Sequence, residues 1–278
     1  MDRPLTLAYS PCPNDTYIFA ALANGWLENA PAVRTVLEDV ENLNTSALKG
    51  DYELTKVSYG AIPALMDRYR ILRAGGGLGR GCGPLVIARP GTGKTLEEFS
   101  DKLIAIPGER TTAFMLLRLA MKERPHIIQM RFDKIVEAVA NGTVDAGLII
   151  HESRFTYQDV GLVEVCDLGS WWESETGKPI PLGAILARND LSEKQAREMN
   201  EHIRASLKFA RQNPDKIINY VREHAVEMQD DVMRKHIDLY VNDFTDDVGD
   251  EGIEAVRELF KRAQAAHILP ETAEPQFV

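Results

Sequence analysis

The chain runs through the same order of secondary structure twice, and this repetition restricts its fold more than any single motif does. Leu5 to Ala8 is an apolar strand run, Ser10-Pro11-Cys12-Pro13-Asn14-Asp15 is a proline-rich turn, and a helix is expected from about Thr16 to Ala23. Leu103 to Ile106 restarts the series, with Pro107-Gly108-Glu109-Arg110 as the turn and a helix from Thr111 to about Met121. A second correspondence aligns residues 48–59 with residues 140–151. In each, a helix ends near a glycine, an acidic residue precedes a strand, and polar side chains appear at the strand end. Strands alternating with helices at this spacing predict parallel βαβ units, and therefore one small α/β lobe per repeat.

Each repeat is succeeded by a short apolar strand, residues 84–89 after the first and 182–188 after the second, and the two are similar in make-up. Read as crossings, they make 86–184 an inserted α/β lobe, while 1–85 and 185–278 form a discontinuous first lobe. The expected architecture is a two-lobed α/β fold of the periplasmic-binding-protein type, with two crossing strands, a cleft and a C-terminal helical segment. Ligand sites favour such boundaries. In the tail, Ser192-Glu193-Lys194-Gln195 is a capping box, and Ala196, Met199, Ile203, Leu207 and Ala210 come next at helical spacing. Asn213-Pro214 suits the start of the next helix, and 250–266 reads as the last one. His202, His224, His236 and His267 lie in these helices and read as structural.

A net charge of −10, spread along the chain, argues against nucleic acid or an anionic membrane as a partner. An anionic small molecule stays possible, because helix N-termini and a few cations can reverse the potential inside a cleft. Cys12, Cys82 and Cys166 are odd in number and too scattered for a zinc set, which predicts free thiols in a reducing compartment. No apolar stretch approaches the ~20 residues that span a bilayer. Met1-Asp2-Arg3-Pro4 lacks a secretory core, so a cytoplasmic location is expected. Neither a metal nor a cofactor is expected. Gly91-Thr92-Gly93-Lys94-Thr95 resembles a phosphate loop, but Ala88 stands where its first glycine belongs. Six glycines between Gly75 and Gly83 fit no GxGxxG register and read as a flexible loop at the cleft edge.

His151 closes the apolar run that begins at Val144. Open α/β sheets bind ligands at the C-terminal ends of their strands, and an imidazole placed there can exchange a proton near neutral pH. A histidine that merely ties down a loop is the alternative. If strand ends face the cleft, residues 10–16, 56–59 and 108–112 converge with His151. Period-two geometry puts Lys56 and Ser58 on one face. Thr111-Thr112 opens a helix whose backbone N–H groups favour an anion, although the same residue types also make an ordinary N-cap.

Taken together, residues 7–16, 56–61, 81–84, 107–113 and Ile150-His151-Glu152-Ser153-Arg154 resemble the 1,4-dihydroxy-6-naphthoate synthase family over essentially the whole chain. The resemblance implies a solute-binding-protein fold used as a lyase in the futalosine route of menaquinone biosynthesis, acting on cyclic dehypoxanthine futalosine without metal or redox cofactor. It implies His151 as proton acceptor and Lys56, Val57, Ser58, Thr111 and Thr112 as substrate-binding residues. Ser10, Asn14, Cys82 and Arg154 are further candidates for ligand contact. Such a chain would be a monomer or homodimer with a small-molecule substrate. Two alternatives are a chorismate dehydratase of the same route and a cytoplasmic aromatic-acid binding protein of the same fold.

Overall fold

In a computed structural model, which describes residues 4–121, 124–225, 229–271 and 274–278, both repeats form as expected. The first gives β1 (Leu5–Tyr9), α1 (Pro13–Ala23), β2 (Val33–Leu37), α2 (Val40–Lys49) and β3 (Leu54–Ser58), then short β4 (Tyr69–Ile71) and β5 (Gly77–Gly79). After β6 (Leu85–Ala88), the second gives β7 (Leu103–Ile106), α3 (Thr112–Ala120), β8 (His126–Gln129), α4 (Phe132–Ala140) and β9 (Ala146–Ile149). The chain continues through α5 (Ser153–Thr156), β10 (Val163–Asp167), α6 (Leu168–Thr176) and β11 (Ile180–Arg188). It ends in α7 (Glu193–Gln212), α8 (Pro214–His224), α9 (Asp230–Tyr240), α10 (Asp243–Asp246) and α11 (Gly249–Ala265).

The two sheets have matching order. One runs β2-β1-β3-β11-β4, with β5 also on β11; the other, from the equivalent edge, runs β8-β7-β9-β6-β10. β1 is parallel to β2 and β3, and β7 is parallel to β8 and β9. β11 lies antiparallel to β3 and β4, as β6 does to β9 and β10. The strand after the first repeat therefore completes the second sheet, and the strand after the second repeat completes the first. This exchange is the double crossing expected from residues 84–89 and 182–188.

Three local expectations need correction. Residues 75–83 are not a loop throughout, because Gly77 and Gly79 pair with Gly183 and Ile180 of β11 in β5. Helix α1 starts at Pro13 rather than Thr16: proline needs no N–H at a first helical position, so the turn runs straight into the helix. Asn14, Asp15 and Thr16 consequently lie inside the first turn as buried side chains, and Cys12 occupies the cap position. Asn213 does precede α8, but its side chain makes no cap and donates back to the Phe209 carbonyl. The capping box at Ser192 forms as expected.

One hydrophobic core joins the two sheets: Val57, Ala184 and Leu186 of the first pack in the same cluster as Val86, Ile104 and Leu148 of the second. A second cluster sets Ile18, Phe19 and Leu22 of α1 against Ile203 and Leu207 of α7. Helix α9 rests on α1 and β5, which brings the C-terminal segment over the strand ends of the first sheet.

Candidate functional site

The C-terminal end of β3 is buried at every residue, so Lys56 and Ser58 must find partners inside the protein. Lys56 Nζ donates to Asp15 Oδ1 at 2.5 Å, with the two side chains 8% and 3% exposed. The same carboxylate accepts from Asn14 Nδ2 at 2.9 Å and from Ser10 Oγ at 2.8 Å. Asp15 thus gathers three of the expected residues into one network. Ser58 Oγ accepts from Asn44 Nδ2 at 3.2 Å, and the Ser58 N–H donates to Asn44 Oδ1 at 2.8 Å.

The facing wall is the start of α3. Thr111 is its N-cap, with Oγ1 accepting from the Phe114 N–H at 3.2 Å and donating to the Gly108 carbonyl at 2.7 Å. Thr112 Oγ1 donates to the Leu182 carbonyl at 2.6 Å and accepts from the Gly60 N–H at 3.1 Å, which fastens the helix to the other sheet. Both hydroxyls are engaged. What α3 offers an anion is therefore the backbone N–H groups of Thr112 and Ala113, since the Phe114 N–H is taken by the Thr111 cap.

His151 lies two residues beyond β9 with φ of 59°, the left-handed region that few non-glycine residues enter. Such a conformation costs about 1–3 kcal/mol and survives where the surroundings fix it. The ring meets Phe132 edge-on at 4.9 Å between centroids, and Nε2 is buried with no hydrogen-bond partner among the described residues. Burial pushes the His151 pKa down to about 4; the Asp15 carboxylate opposes that shift and the Lys56 ammonium adds to it. The ring is neutral at pH 7 and able to take a proton.

Ser10, Asn14, Lys56, Val57 and Ser58 line one cavity of about 90 Å³ together with Thr111, Thr112 and His151. The structure thus brings these eight expected residues together in one cavity. Arg154 is not among the lining residues; it donates to the Gly83 carbonyl and to Asp167 Oδ2 at 2.7 Å, so it holds the β5–β6 connection. Cys82 does line the cavity, but burial pushes its thiol up to about 12, which leaves it an inert wall residue. Two lining residues come from α9 and were not expected: Tyr240, and the supposedly structural His236. A signal existed, since His236 shares the buried stripe of α9 with Val232 and Met233 at helical spacing.

Cys12, His151 and Glu152 bring three donor atoms within 4.8 Å of one another, a grouping that could in principle hold a metal. Without a metal, burial and then the Glu152 carboxylate hold the Cys12 thiol well above its ordinary pKa, so binding there would have to displace the thiol proton.

A family model described as menaquinone biosynthesis matches residues 5–265. The chain belongs to the menaquinone-biosynthesis family. Within it, this chain is similar to the 1,4-dihydroxy-6-naphthoate synthase of Thermus thermophilus, 50% identical over 275 residues and 99% of each chain. The synthase of the same name from Streptomyces coelicolor is 44% identical over 271 residues, 96% of this chain and 95% of that one. An Archaeoglobus fulgidus protein of known crystal structure superposes with a TM-score of 0.89 at 36% identity, over 96% of this chain and 98% of that one. The alkanesulfonate-binding protein of Xanthomonas axonopodis superposes with a TM-score of 0.74 at 13% identity, over 98% of this chain and 96% of that one, a likeness of fold alone. This member of the menaquinone family is thus a biosynthetic enzyme on a periplasmic-binding-protein scaffold. Among its described residues no helix is long and apolar enough to cross a membrane.

Proposed function

We propose that this chain is a lyase that converts cyclic dehypoxanthine futalosine to 1,4-dihydroxy-6-naphthoate, with His151 as general base. The observation that carries the reading is the buried, unpartnered Nε2 of a neutral His151 facing a cavity lined by Lys56, Val57, Ser58, Thr111 and Thr112. His151 Nε2 takes the proton of a substrate hydroxyl beside the carbon–carbon bond that breaks. The O–H electron pair becomes the carbonyl of the sugar-derived fragment that leaves, the electrons of the broken carbon–carbon bond pass into the bicyclic ring as it becomes aromatic, and the resulting ring oxyanion takes up a proton. The substrate carboxylate meets the first turn of α3. Lys56, with Asp15, Ser10 and Asn14, forms the opposite wall.

The two sheets act as lobes, 1–85 with 185–278 and the inserted 86–184, that open to admit the substrate and close to exclude water. A cavity of about 90 Å³ is small for a substrate of several rings, which favours such opening. Cys12, Cys82 and Cys166 are all free thiols, which supports a cytoplasmic location.

Incubation with cyclic dehypoxanthine futalosine should yield the naphthoate, read by mass. A well-folded protein giving no product refutes the reading, and product from chorismate alone assigns the dehydratase activity instead. His151→Ala should lower kcat by about 10² to 10⁴ with folding intact. A kcat near that of the parent rules out the base.

A further inference from the structure

His236 is the second imidazole of the cavity, and its chemistry is unspent. It is 1% exposed, and neither Nδ1 nor Nε2 has a hydrogen-bond partner among the described residues. Buried polar side-chain atoms are nearly always paired, so two orphaned nitrogens on one ring call for a partner that arrives with the ligand. Its surroundings are aromatic rather than polar: Tyr240 lies at 4.5 Å between ring centroids and Phe155 at 6.4 Å, and the charge that bears on it from outside α9 is Lys56. The remaining neighbour is His151, with ring centroids 6.4 Å apart and planes tilted by 34°.

That gap is informative. Two imidazoles in direct contact would satisfy each other, yet His151 Nε2 is also orphaned. One oxygen within about 2.8 Å of a nitrogen on each ring bridges a separation of this size. We propose that His236 donates a hydrogen bond to the same substrate oxygen from which His151 removes the proton, and so stabilises the negative charge that develops there. The inference rests on the cavity being the synthase's substrate site. Burial, then His151 and Lys56, hold the His236 pKa well below the ordinary histidine range, so it acts as a neutral N–H donor and does not compete for the proton.

The test compares His236→Phe and His236→Gln with the parent enzyme in steady-state turnover and thermal melting. Phenylalanine keeps the packing against Tyr240 and Phe155 but removes the donor; it should lower kcat by about 10² or more, with KM changed only a few-fold and Tm unchanged or raised. Glutamine keeps an N–H donor and should recover part of the loss. A structural histidine would instead give a fall in Tm with kcat preserved, or equal losses in both variants, and either result overturns the proposal. Should the variants not fold, ring ¹⁵N shifts of His236 in the His151→Ala enzyme must move when cyclic dehypoxanthine futalosine binds; unmoved shifts overturn it. A parent enzyme inactive on cyclic dehypoxanthine futalosine overturns the functional reading and this inference with it, whereas an active parent with an unaffected His236→Phe overturns this inference alone.

Discussion

If His151 is the base, as proposed, it must be unprotonated when substrate arrives, and its burial favours the neutral ring over a wide pH range. Protonating a ring with a pKa of about 4 requires acid well below neutral, so the free enzyme's kcat/KM should be flat from pH 7.5 down to about 5. Below pH 4 it should fall about tenfold per unit as the ring gains its proton. An unperturbed histidine near 6.5 would lose about ten-fold already at pH 5.5. The pH profile of kcat/KM distinguishes the two, and a limb centred near 6.5 would show that His151 is not held as the structure holds it. The positive φ of this residue and its orphaned Nε2 are two departures from local preference at one position. Departures of that kind concentrate where function fixes the geometry.

At the scale of elements, Thr111 separates helix integrity from ligand contact. Thr111→Ala removes the cap from α3 and should cost about 0.5–2 kcal/mol, measured by urea unfolding, while leaving Thr112 and its bond to Leu182 in place. A loss of activity without loss of stability would mean that Thr111 touches substrate directly. The elements themselves were legible because their signals are local: alternation of strand and helix, the Ser192 capping box, and apolar runs at 84–89 and 182–188 all reappear in the structure. The grouping of strand-end side chains was legible too: Lys56 and Ser58 on β3 and His151 two residues beyond β9 line one cavity. Asp15 and His236 were harder to read. The role of Asp15 arises from a partner 41 residues away, and His236 enters the cavity only because α9 lies on α1 and β5. Periodicity along α9 shows that His236 is buried, but not what it faces.

Between the two sheets, α3 meets the first in a tight seam, where Thr112 bonds Gly60 and Leu182. A Cβ on Gly60 would sit 2.8 Å from the carbonyl oxygens of Arg110 and Thr111, so this contact tolerates no side chain. Gly60→Ala should therefore hold the lobes apart, raising KM by about tenfold or more and increasing the radius of gyration in X-ray scattering, with each sheet intact. An unchanged KM would show that closure does not depend on this seam. The exchange of β6 and β11 has a further consequence, for synthesis rather than catalysis. As the chain leaves the ribosome, β3 and β4 wait for a partner strand that begins at Ile180, while β6 has nothing to pair with until β9 at Ala146. Neither sheet can close on the residues of its own repeat, so the nascent protein carries open strand edges for roughly the first two-thirds of its length.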